Sequence, residues 1–297
     1  MIWLIGNKGM LGSELEKQLN NSGIPVIGTD REVDITNLQS LKDFAKGKNI
    51  SWIINCAAYT AVDKAEDEPE LAKLLNETGP ENIAQTAKTI GAKLIHISTD
   101  YVFDGKGTKP YPVNTERNPQ SVYGKTKADG EKVIEDILPD SHYIIRTAWL
   151  YGYNGPNFIY TMIKLMNSKE IINVVNDQKG CPTNAHDLAG VIIELIKKET
   201  SCPSSVPSGI YHYGNEGQIT WYEFAKAIQV SAMEKGLIKK GCIVNSCTSI
   251  EFNAKAIRPQ YSVFDLSKIK SILGIEIPSW ESSLENFLSH KELLRLS

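Results

Sequence analysis

A tyrosine and a lysine stand four residues apart, as Tyr123 and Lys127, in the segment SVYGKTKADGEKV that spans residues 121–133. On a helix this spacing places both side chains on one face, about 6 Å apart along the axis. A phenol has a pKa of about 10, so a tyrosine that acts as a general acid–base near neutral pH needs that pKa lowered. A neighbouring ammonium favours the phenolate. We therefore predict acid–base chemistry at Tyr123, with Lys127 lowering the pKa of the phenol.

Position in the chain separates this pair from others with the same spacing. Those are Tyr160/Lys164 and Tyr222/Lys226. The apolar segment AKLIHIS ends upstream in Ser98 and Thr99, whose hydroxyls are placed to bond a substrate oxygen, and Tyr123 follows in the next helical segment. Neither other pair follows a comparable strand end, and TWYEFAKAIQ around Tyr222 is typical of amphipathic packing. We predict that Thr99, Tyr123 and Lys127 form one catalytic set.

Strands and helices that alternate along the first half of the chain must position these side chains. Five apolar segments predict buried strands: MIWLI, IPVIGTD, SWIINCAA, AKLIHIS and HYIIRTAW. Helical patterns lie between them, including residues 70–91 and 120–138. This alternation predicts an α/β fold with a doubly wound parallel sheet of the Rossmann type, covered by helices on both faces.

Beyond Trp149 the alternation breaks down into short strands, helices and loops, including the linker-like SCPSSVPSG at 201–209. We predict a dinucleotide-binding Rossmann domain over residues 1–150 and a smaller C-terminal α/β substrate-binding part over 151–297. A segment at about 184–215 is expected to return to the Rossmann domain.

The first predicted strand runs into the loop GNKGMLG, in which Gly6, Gly9 and Gly12 are evenly spaced. Glycine lets the backbone turn tightly and approach a pyrophosphate, which then rests on the N-terminus of the following helix. The second strand ends at Asp30, an acid placed to accept ribose hydroxyls, and the adjacent Arg31 suits a 2′-phosphate. The loop predicts a nicotinamide dinucleotide, and the Asp30–Arg31 pair leaves NADH and NADPH both open.

Two more segments are predicted to line the cofactor. Asp34 and Ile35, in VDITN, suit pairing with and packing against adenine, although they equally suit a helix N-cap. Small residues after the third strand let a cofactor lie close, or mark an ordinary exit from a strand. That set is Ala57, Ala58, Tyr59 and Thr60.

Composition and charge limit the kinds of partner that the protein is expected to bind. The 297 residues are 41% hydrophobic and 23% charged, and a formal net charge of −3 favours neither nucleic acid nor an anionic membrane. The sequence begins MIWLIGNKGM, without a basic leader before a long apolar core, and no apolar run approaches the roughly 18 residues of a membrane span. Five scattered cysteines without a Cys-x-x-Cys predict reduced thiols in a cytoplasmic protein.

Longer blocks carry a family resemblance. The glycine-rich turn, STDYVFDG and YGKTK together resemble the extended short-chain dehydrogenase/reductase superfamily. Further blocks narrow the resemblance to its dTDP-4-dehydrorhamnose reductase family: NCAAYTAVDKAEDEPELA, VYGKTKADGE, IRTAWLYG, NDQKGCPT and the Arg-Pro pair at 258–259. The resemblance spans residues 1 to about 290.

The resemblance implies roles for individual residues. The catalytic residues would be the set predicted above, and Met10 and Leu11 would join the residues that line the cofactor. Asp100 and Trp149 would contact the sugar nucleotide, although Trp149 equally suits the core. Arg258 would bind a diphosphate or form a structural ion pair.

The activity implied by the resemblance is hydride transfer from NADPH or NADH to the C4 ketone of dTDP-4-dehydro-L-rhamnose, giving dTDP-L-rhamnose. Tyr123 would donate the proton and Thr99 would stabilise the alkoxide. Another nucleotide-sugar 4-ketoreductase or epimerase stays open, and so does a non-catalytic, cofactor-binding regulatory subunit of the same fold. A dehydratase is disfavoured, because those enzymes carry Thr-Asp-Glu where this chain has Thr99, Asp100 and Tyr101. A monomer or a homodimer is expected.

Some members of the family form dimers through a magnesium site of three glutamates. By the family pattern the corresponding positions here are Glu14, His186 and His290. Magnesium prefers oxygen ligands, whereas imidazole suits softer metals such as zinc. We therefore predict no bound metal and no magnesium requirement for activity or for association.

Overall fold

The structure is a computed structural model that describes residues 1–290. In this part of the chain the strands are β1 Ile2–Ile5, β2 Val26–Thr29, β3 Trp52–Asn55, β4 Lys93–Thr99, β5 His142–Thr147, β6 Leu150–Tyr151, β7 Ile171–Val175, β8 Lys179–Gly180, β9 Thr183–Asn184, β10 Gly209–His212, β11 Ile219–Thr220 and β12 Ile243–Cys247.

The helices alternate with the strands, most regularly in the first half. They are α1 Met10–Asn21, α2 Leu38–Ala45, α3 Val62–Ala65, α4 Pro69–Lys73, α5 Gly79–Ile90, α6 Val122–Ile137, α7 Phe158–Ser168, α8 Ala185–Ser201, α9 Trp221–Glu234, α10 Ser249–Phe252, α11 Ser267–Leu273 and α12 Trp280–Leu288. A π-helical turn, Leu74–Thr78, joins α4 to α5, and a 3₁₀ turn, Asp100–Val102, follows β4.

Six strands form the central sheet in the order β10-β5-β4-β3-β1-β2, and every neighbouring pair is parallel. The five strands predicted from apolar segments are confirmed, and so are the doubly wound α/β class and the two long helical regions. The pairing register decides how far each strand extends toward the carboxyl edge of the sheet. Asn55, the last residue of β3, pairs with His96, and β4 continues past that level to Thr99.

Helices cover both faces of this sheet because successive side chains of a strand point to opposite sides. Ile2 and Leu4 of β1 join an apolar layer with α1, α8 and α11, whereas Trp3 and Ile5 join one with α2, α5 and α6. All four side chains are at most 2% exposed. Full burial of an apolar side chain contributes about 1.5–3 kcal/mol, so both layers hold the strand ends firmly.

A second apolar core lies in the later part of the chain. It joins α7, α9 and α12 with the parallel pair β7–β12, around Tyr151, Ile159, Phe224 and Phe287. The segment 201–209 does not separate this core from the sheet. It is the loop between α8 and β10, of which α8 packs on α1 and β10 pairs with β5. The division of function between a cofactor part and a substrate part stays a prediction.

Candidate active site

A cavity of about 810 Å³ opens at the carboxyl ends of the central strands, where ligands bind in open α/β sheets. Most of the predicted cofactor residues line it: Gly6, Gly9, Met10, Leu11, Gly12, Asp30, Arg31, Asp34, Ile35, Ala57, Ala58 and Thr60. Thr99, Asp100, Tyr123, Lys127 and Trp149 line it too. The tertiary structure therefore brings residues from five strand ends to one place, and their binding roles stay predictions.

The glycine loop turns so tightly that side chains at two of its glycines would collide with neighbouring backbone. Gly6 has a φ of +79°, and a Cβ there would lie 2.8 Å from the backbone nitrogen of Ala57. At Gly12 a Cβ would lie 2.1 Å from the carbonyl oxygen of Gly6. Helix α1 begins after Gly9 with no side chain capping it, and the backbone N–H groups of its first turn have no acceptor within the helix. The residues present therefore fit a dinucleotide diphosphate.

The predicted adenosine side lies at the ends of β1 and β2. Asp34 Oδ1 accepts hydrogen bonds from the backbone and the hydroxyl of Thr36, at 2.9 and 2.7 Å. The N-cap of α2 is Asn37, so the capping role falls to a residue downstream of Asp34 and Ile35. Ile35 is buried, and its side chain packs so close to Gly79 that a Cβ there would lie 2.8 Å from Ile35 Cδ1.

Tyr123 sits in the first turn of α6. Ser121 caps that helix by accepting from the backbone N–H of Gly124, at 3.1 Å. Burial raises the pKa of Tyr123 to about 12, while a hydrogen bond with Thr99 lowers it and the charge of Asp100 raises it. The predicted lowering of this pKa by Lys127 is absent from the structure. The phenol is therefore protonated at neutral pH, which is the form that a proton donor needs.

The side-chain nitrogen of Lys127 is held against β4. Its Nζ donates to the carbonyl oxygen of Ile97 at 2.7 Å and lies 3.2 Å from Nε2 of His96. Burial lowers the pKa of Lys127 to about 8, against the charges of Glu131 and Cys56, which raise it. Lys127 is not among the groups that shift the pKa of Tyr123.

Asp100 is a buried carboxyl at the centre of the site. Its Oδ1 accepts from Thr99 Oγ1 at 3.0 Å, and its Oδ2 accepts from Ser262 Oγ at 2.6 Å. Burial raises the pKa of Asp100 to about 6, although the hydrogen bonds from Ser262 and Thr99 lower it. Ser262 belongs to the later part of the chain, so this carboxyl links the catalytic strand end to that part.

Trp149 lies between the cavity and the second core, and its contact with a sugar nucleotide stays a prediction. It lines the cavity and also packs against the second core. Its ring stacks on Trp221 with centroids 3.6 Å apart and planes at 12°. Its φ of +50° is costly for a non-glycine residue, and a Cβ on Gly180 would come within 2.6 Å of its ring. The surroundings thus hold one aromatic wall in a strained conformation at the cavity.

Two predicted residues do not line the cavity. The hydroxyl of Tyr59 donates to Glu68 at 2.5 Å, and its backbone is fixed by Asn76, which draws the ring away from the cleft. The guanidinium of Arg258 pairs with Asp63 at 2.7 Å, as the ion-pair alternative expects. Their predicted ligand contacts stay untested.

The other tyrosine–lysine pairs lie elsewhere. Tyr160 on α7 donates to the carbonyl oxygen of Tyr153 at 3.0 Å, and Tyr222 on α9 packs against the second core. Neither residue lines the cavity. The choice made from the preceding strand end therefore agrees with the geometry.

Several residues that line the cavity were not predicted. They include Cys56, Gln178, Trp221, Pro259 and Ser262. The last four come from loops and helix ends far along the chain. Gln178 and Pro259 fall inside blocks quoted for the family resemblance, but no local pattern marks Trp221 or Ser262. Asn55 and His96 were also missed, and here a signal exists, because each interrupts an otherwise apolar strand and is buried.

The positions predicted from the magnesium pattern are distributed over two places. His186 Nδ1 lies 2.7 Å from Glu14 Oε1, and Gln18 also contacts that carboxylate. The ring of His290 packs on Tyr153, with centroids 4.5 Å apart. Within residues 1–290 no group of three or more His, Cys, Asp or Glu side chains could hold a metal ion. Residues 291–294, the end of the predicted last helix, lie outside the described residues.

Two further observations concern membrane-spanning helices and the state of the cysteines. Among the described helices none is long and apolar enough to cross a bilayer. All five cysteines, each within the described part of the chain, are free thiols.

The parallel sheet, its glycine loop and the Thr99, Tyr123 and Lys127 set around one cavity are features of the extended short-chain dehydrogenase/reductase superfamily, a class of NAD(P)H-dependent oxidoreductases. Within that class, the chain belongs to the family described as RmlD substrate binding domain, which matches residues 1–293.

Individual relatives and solved structures agree with this family assignment. A dTDP-4-dehydrorhamnose reductase of Streptomyces griseus is 39% identical over 286 residues, which cover 95% of this chain and 91% of the relative. The crystal structure of such a reductase from Clostridium acetobutylicum superposes with a TM-score of 0.89 at 40% identity, covering 99% of both chains. One from Bacillus anthracis in complex with NADP has a TM-score of 0.88 at 38% identity, covering 96% of this chain and 97% of that one.

Proposed function

We propose that the protein reduces the C4 ketone of dTDP-4-dehydro-L-rhamnose to dTDP-L-rhamnose with NADPH or NADH. The observation that carries the proposal is one cavity that joins the glycine loop of α1 to Thr99, Tyr123 and Lys127. Relatives that share 38–40% of its residues over nearly the whole chain are dTDP-4-dehydrorhamnose reductases, and one of them holds NADP.

The dinucleotide, when bound, supplies the hydride for the ketone carbon. Gly6 and Gly12 allow the tight turn that brings the N-terminus of α1 to the cavity, where the diphosphate would bind, and Asp30 stands ready for ribose hydroxyls. Buried Lys127 faces the cavity beside the end of β4 and is placed to hold the nicotinamide ribose. These residues orient the cofactor, which is the protein's main contribution to a hydride transfer.

Tyr123 supplies the proton for the alkoxide oxygen that forms at C4. Its raised pKa, about 12, keeps the phenol protonated until that oxygen, a stronger base, develops beside it. Thr99 hydrogen-bonds the phenol, and its own hydroxyl is placed to turn from Asp100 to the same oxygen. Trp149, stacked on Trp221 of the later part of the chain, then forms the wall nearest the sugar.

The same reasoning supports a cytoplasmic enzyme, because five free thiols suit a reducing compartment where reduced nicotinamide cofactors are available. A monomer and a homodimer both fit the proposal. No observation favours a second activity, although another 4-keto sugar nucleotide would meet the same catalytic set.

Turnover of a panel of 4-keto sugar nucleotides tests the proposal, with NADH and NADPH assayed separately. We expect oxidation of either cofactor, with dTDP-4-dehydro-L-rhamnose giving the highest kcat/KM and dTDP-L-rhamnose as product. A faster reaction with a different sugar nucleotide would identify another 4-ketoreductase. Tight cofactor binding with no turnover on any member of the panel would indicate a regulatory subunit.

A further inference from the structure

A series of buried, hydrogen-bonded polar side chains lies behind Lys127. Its Nζ is 2.7 Å from the carbonyl oxygen of Ile97 and 3.2 Å from Nε2 of His96. The other ring nitrogen, Nδ1, is 3.0 Å from Nδ2 of Asn55, whose Oδ1 accepts from the backbone N–H of Ala57 at 3.0 Å. Asn55, His96 and Lys127 are each at most 2% exposed, so these groups must satisfy one another.

Two neighbouring strands of the sheet bring these side chains together. Asn55 ends β3 and pairs in register with His96 of β4, so their side chains are direct cross-strand neighbours. Lys127 reaches them from α6, which packs against β4. The three residues therefore come from three elements that the apolar layers hold in place. This series of hydrogen-bonded side chains thus has one fixed arrangement.

The hydrogen-bond donors and acceptors around His96 show which of its ring nitrogens carries the proton. The N–H of Ala57 can only donate, so the Asn55 amide turns its oxygen to that group and its NH₂ to His96. Because the NH₂ also donates, Nδ1 of His96 must accept and carries no proton. Burial holds the pKa of His96 well below its usual value, so the ring is neutral. A neutral ring with a bare Nδ1 carries its proton on Nε2.

That proton points at Lys127. An ammonium has three donors and no acceptor, so it opposes an N–H directed at it. The amine form has a lone pair that accepts from Nε2–H of His96, and it still has a hydrogen for the carbonyl oxygen of Ile97. The hydrogen-bond pattern is therefore complete with the amine and incomplete with the ammonium.

We propose that His96, with its tautomer fixed by Asn55, is a positioning residue that favours the amine over the ammonium form of Lys127. Lys127 then loses its proton at a lower pH than an exposed lysine does. The proposal deepens the proposed function, because it concerns a lysine in the cofactor site.

The other charged and titratable groups around Lys127 act in the opposite direction. Cys56, beyond the end of β3, and Glu131, one turn further along α6, both raise the pKa of Lys127. Glu131 is itself buried against Arg146 of β5 and Arg117, at 2.7 and 2.6 Å, which weakens its pull on the lysine. Burial outweighs both charges and lowers the pKa of Lys127 to about 8.

The first test reads the tautomer of His96 in the unmodified protein from the ¹⁵N chemical shifts of its ring. We expect the proton on Nε2 and a bare Nδ1. A proton on Nδ1 would overturn the proposal, because Nε2 would then accept a hydrogen bond from an ammonium. This measurement needs no variant, so it decides the matter even where a substitution prevents folding.

The second test follows the Nζ resonance of Lys127 with pH in protein labelled with ¹⁵N-lysine, assigned by its loss in Lys127→Met. His96→Gln replaces the fixed N–H with an amide that can turn its oxygen to an ammonium. We expect the pKa of Lys127 to rise by at least about one unit. Asn55→Asp should shift it the same way, because the carboxylate accepts from Nδ1–H and frees Nε2 to accept from the lysine.

A matched control is His142→Gln, which alters another buried histidine whose ring contacts Leu138 and Ser208 instead of Lys127. It should leave the titration of Lys127 unchanged. An unshifted Lys127 in folded His96→Gln would refute the proposal, and so would an equal shift in the control. Both measurements use the protein without substrate, so a failure of the proposed sugar-nucleotide activity would not affect their outcome.

Discussion

At the scale of single residues, the direction of each hydrogen bond matters as much as its length. The hydroxyl of Thr99 has one proton, and it donates that proton to Asp100. A hydrogen bond donated by Thr99 lowers the pKa of Tyr123, so the phenol and Asp100 compete for the same hydroxyl proton. Burial of the phenol raises its pKa and keeps it protonated at neutral pH.

The first prediction concerns the proton donor. Tyr123→Phe removes only the hydroxyl, so cofactor affinity should persist while kcat falls at least about 100-fold, because the alkoxide loses its acid. Steady-state kinetics and cofactor fluorescence titration measure the two quantities. Tyr160→Phe and Tyr222→Phe, which alter the pairs outside the cavity, should keep near-native rates. A near-native rate in Tyr123→Phe would assign the proton to another group.

The second prediction concerns cofactor choice. Asp30 suits a free 2′-hydroxyl and exposed Arg31 suits a 2′-phosphate, and both line the cavity. Arg31→Ala should weaken NADPH binding about 10-fold, the value of a charge-assisted hydrogen bond, and leave NADH binding nearly unchanged. Titrations of one variant with both cofactors provide the internal control. Equal losses for the two would show that Arg31 does not contact the phosphate.

At the scale of elements, strand ends and helix starts decide which side chains meet. Because β4 runs past the level of Asn55, Thr99 projects toward the cavity while His96 stays buried beneath it. The Ser121 cap begins α6 where Tyr123 faces Thr99 and Lys127 faces β4 one turn later. A shift of either boundary by one residue would separate the phenol from the hydroxyl and the lysine from His96.

The third prediction tests the glycine loop. In Gly12→Ala the new Cβ would lie 2.1 Å from the carbonyl oxygen of Gly6, so the loop must shift. We expect affinity for either cofactor to fall at least about 10-fold, or about 1.4 kcal/mol. Gly190→Ala is the matched control, because this glycine lies inside α8 with its nearest atom 3.8 Å away. It should bind cofactor normally and gain about 0.5–1 kcal/mol of stability. Native cofactor affinity in folded Gly12→Ala would show that the loop does not carry the diphosphate.

At the scale of the whole molecule, the cavity depends on contacts between the sheet and the later part of the chain. Ser262 reaches Asp100, Arg258 pairs with Asp63, and Lys255 pairs with Asp67. The two surface pairs contribute little each, about 0–1 kcal/mol, whereas the buried Ser262–Asp100 bond fixes the catalytic strand end. The site is therefore complete only when both apolar cores have formed.

The fourth prediction concerns association. Glu14 is already bonded to His186 and Gln18, and imidazole is a poor ligand for magnesium. We expect activity and the sedimentation coefficient to stay the same with EDTA and with added Mg²⁺. A dimer that dissociates in EDTA and re-forms specifically with Mg²⁺ would contradict this, and Glu14→Gln would then show whether that carboxylate binds the ion.

Local sequence patterns determined much of this protein. Apolar runs and glycine positions predicted β1 to β5, the cofactor loop and the helix that carries Tyr123, because strand burial, tight turns and helix caps depend on neighbouring residues. The order of Thr99 before Tyr123 and Lys127 was enough to choose among three identical spacings. Family resemblance added Asp100 and Trp149, which lie at the same cavity.

Only the tertiary structure decided what surrounds these residues. Sequence spacing placed Lys127 beside Tyr123, but packing against β4 turned its nitrogen to His96 and Ile97, and burial raised the pKa of Tyr123. Trp221 and Ser262 reach the cavity from distant loops that no local pattern marks. The reason is physical: a pKa and a cavity wall depend on which groups exclude water, and groups far apart in the chain become neighbours only when both apolar cores pack.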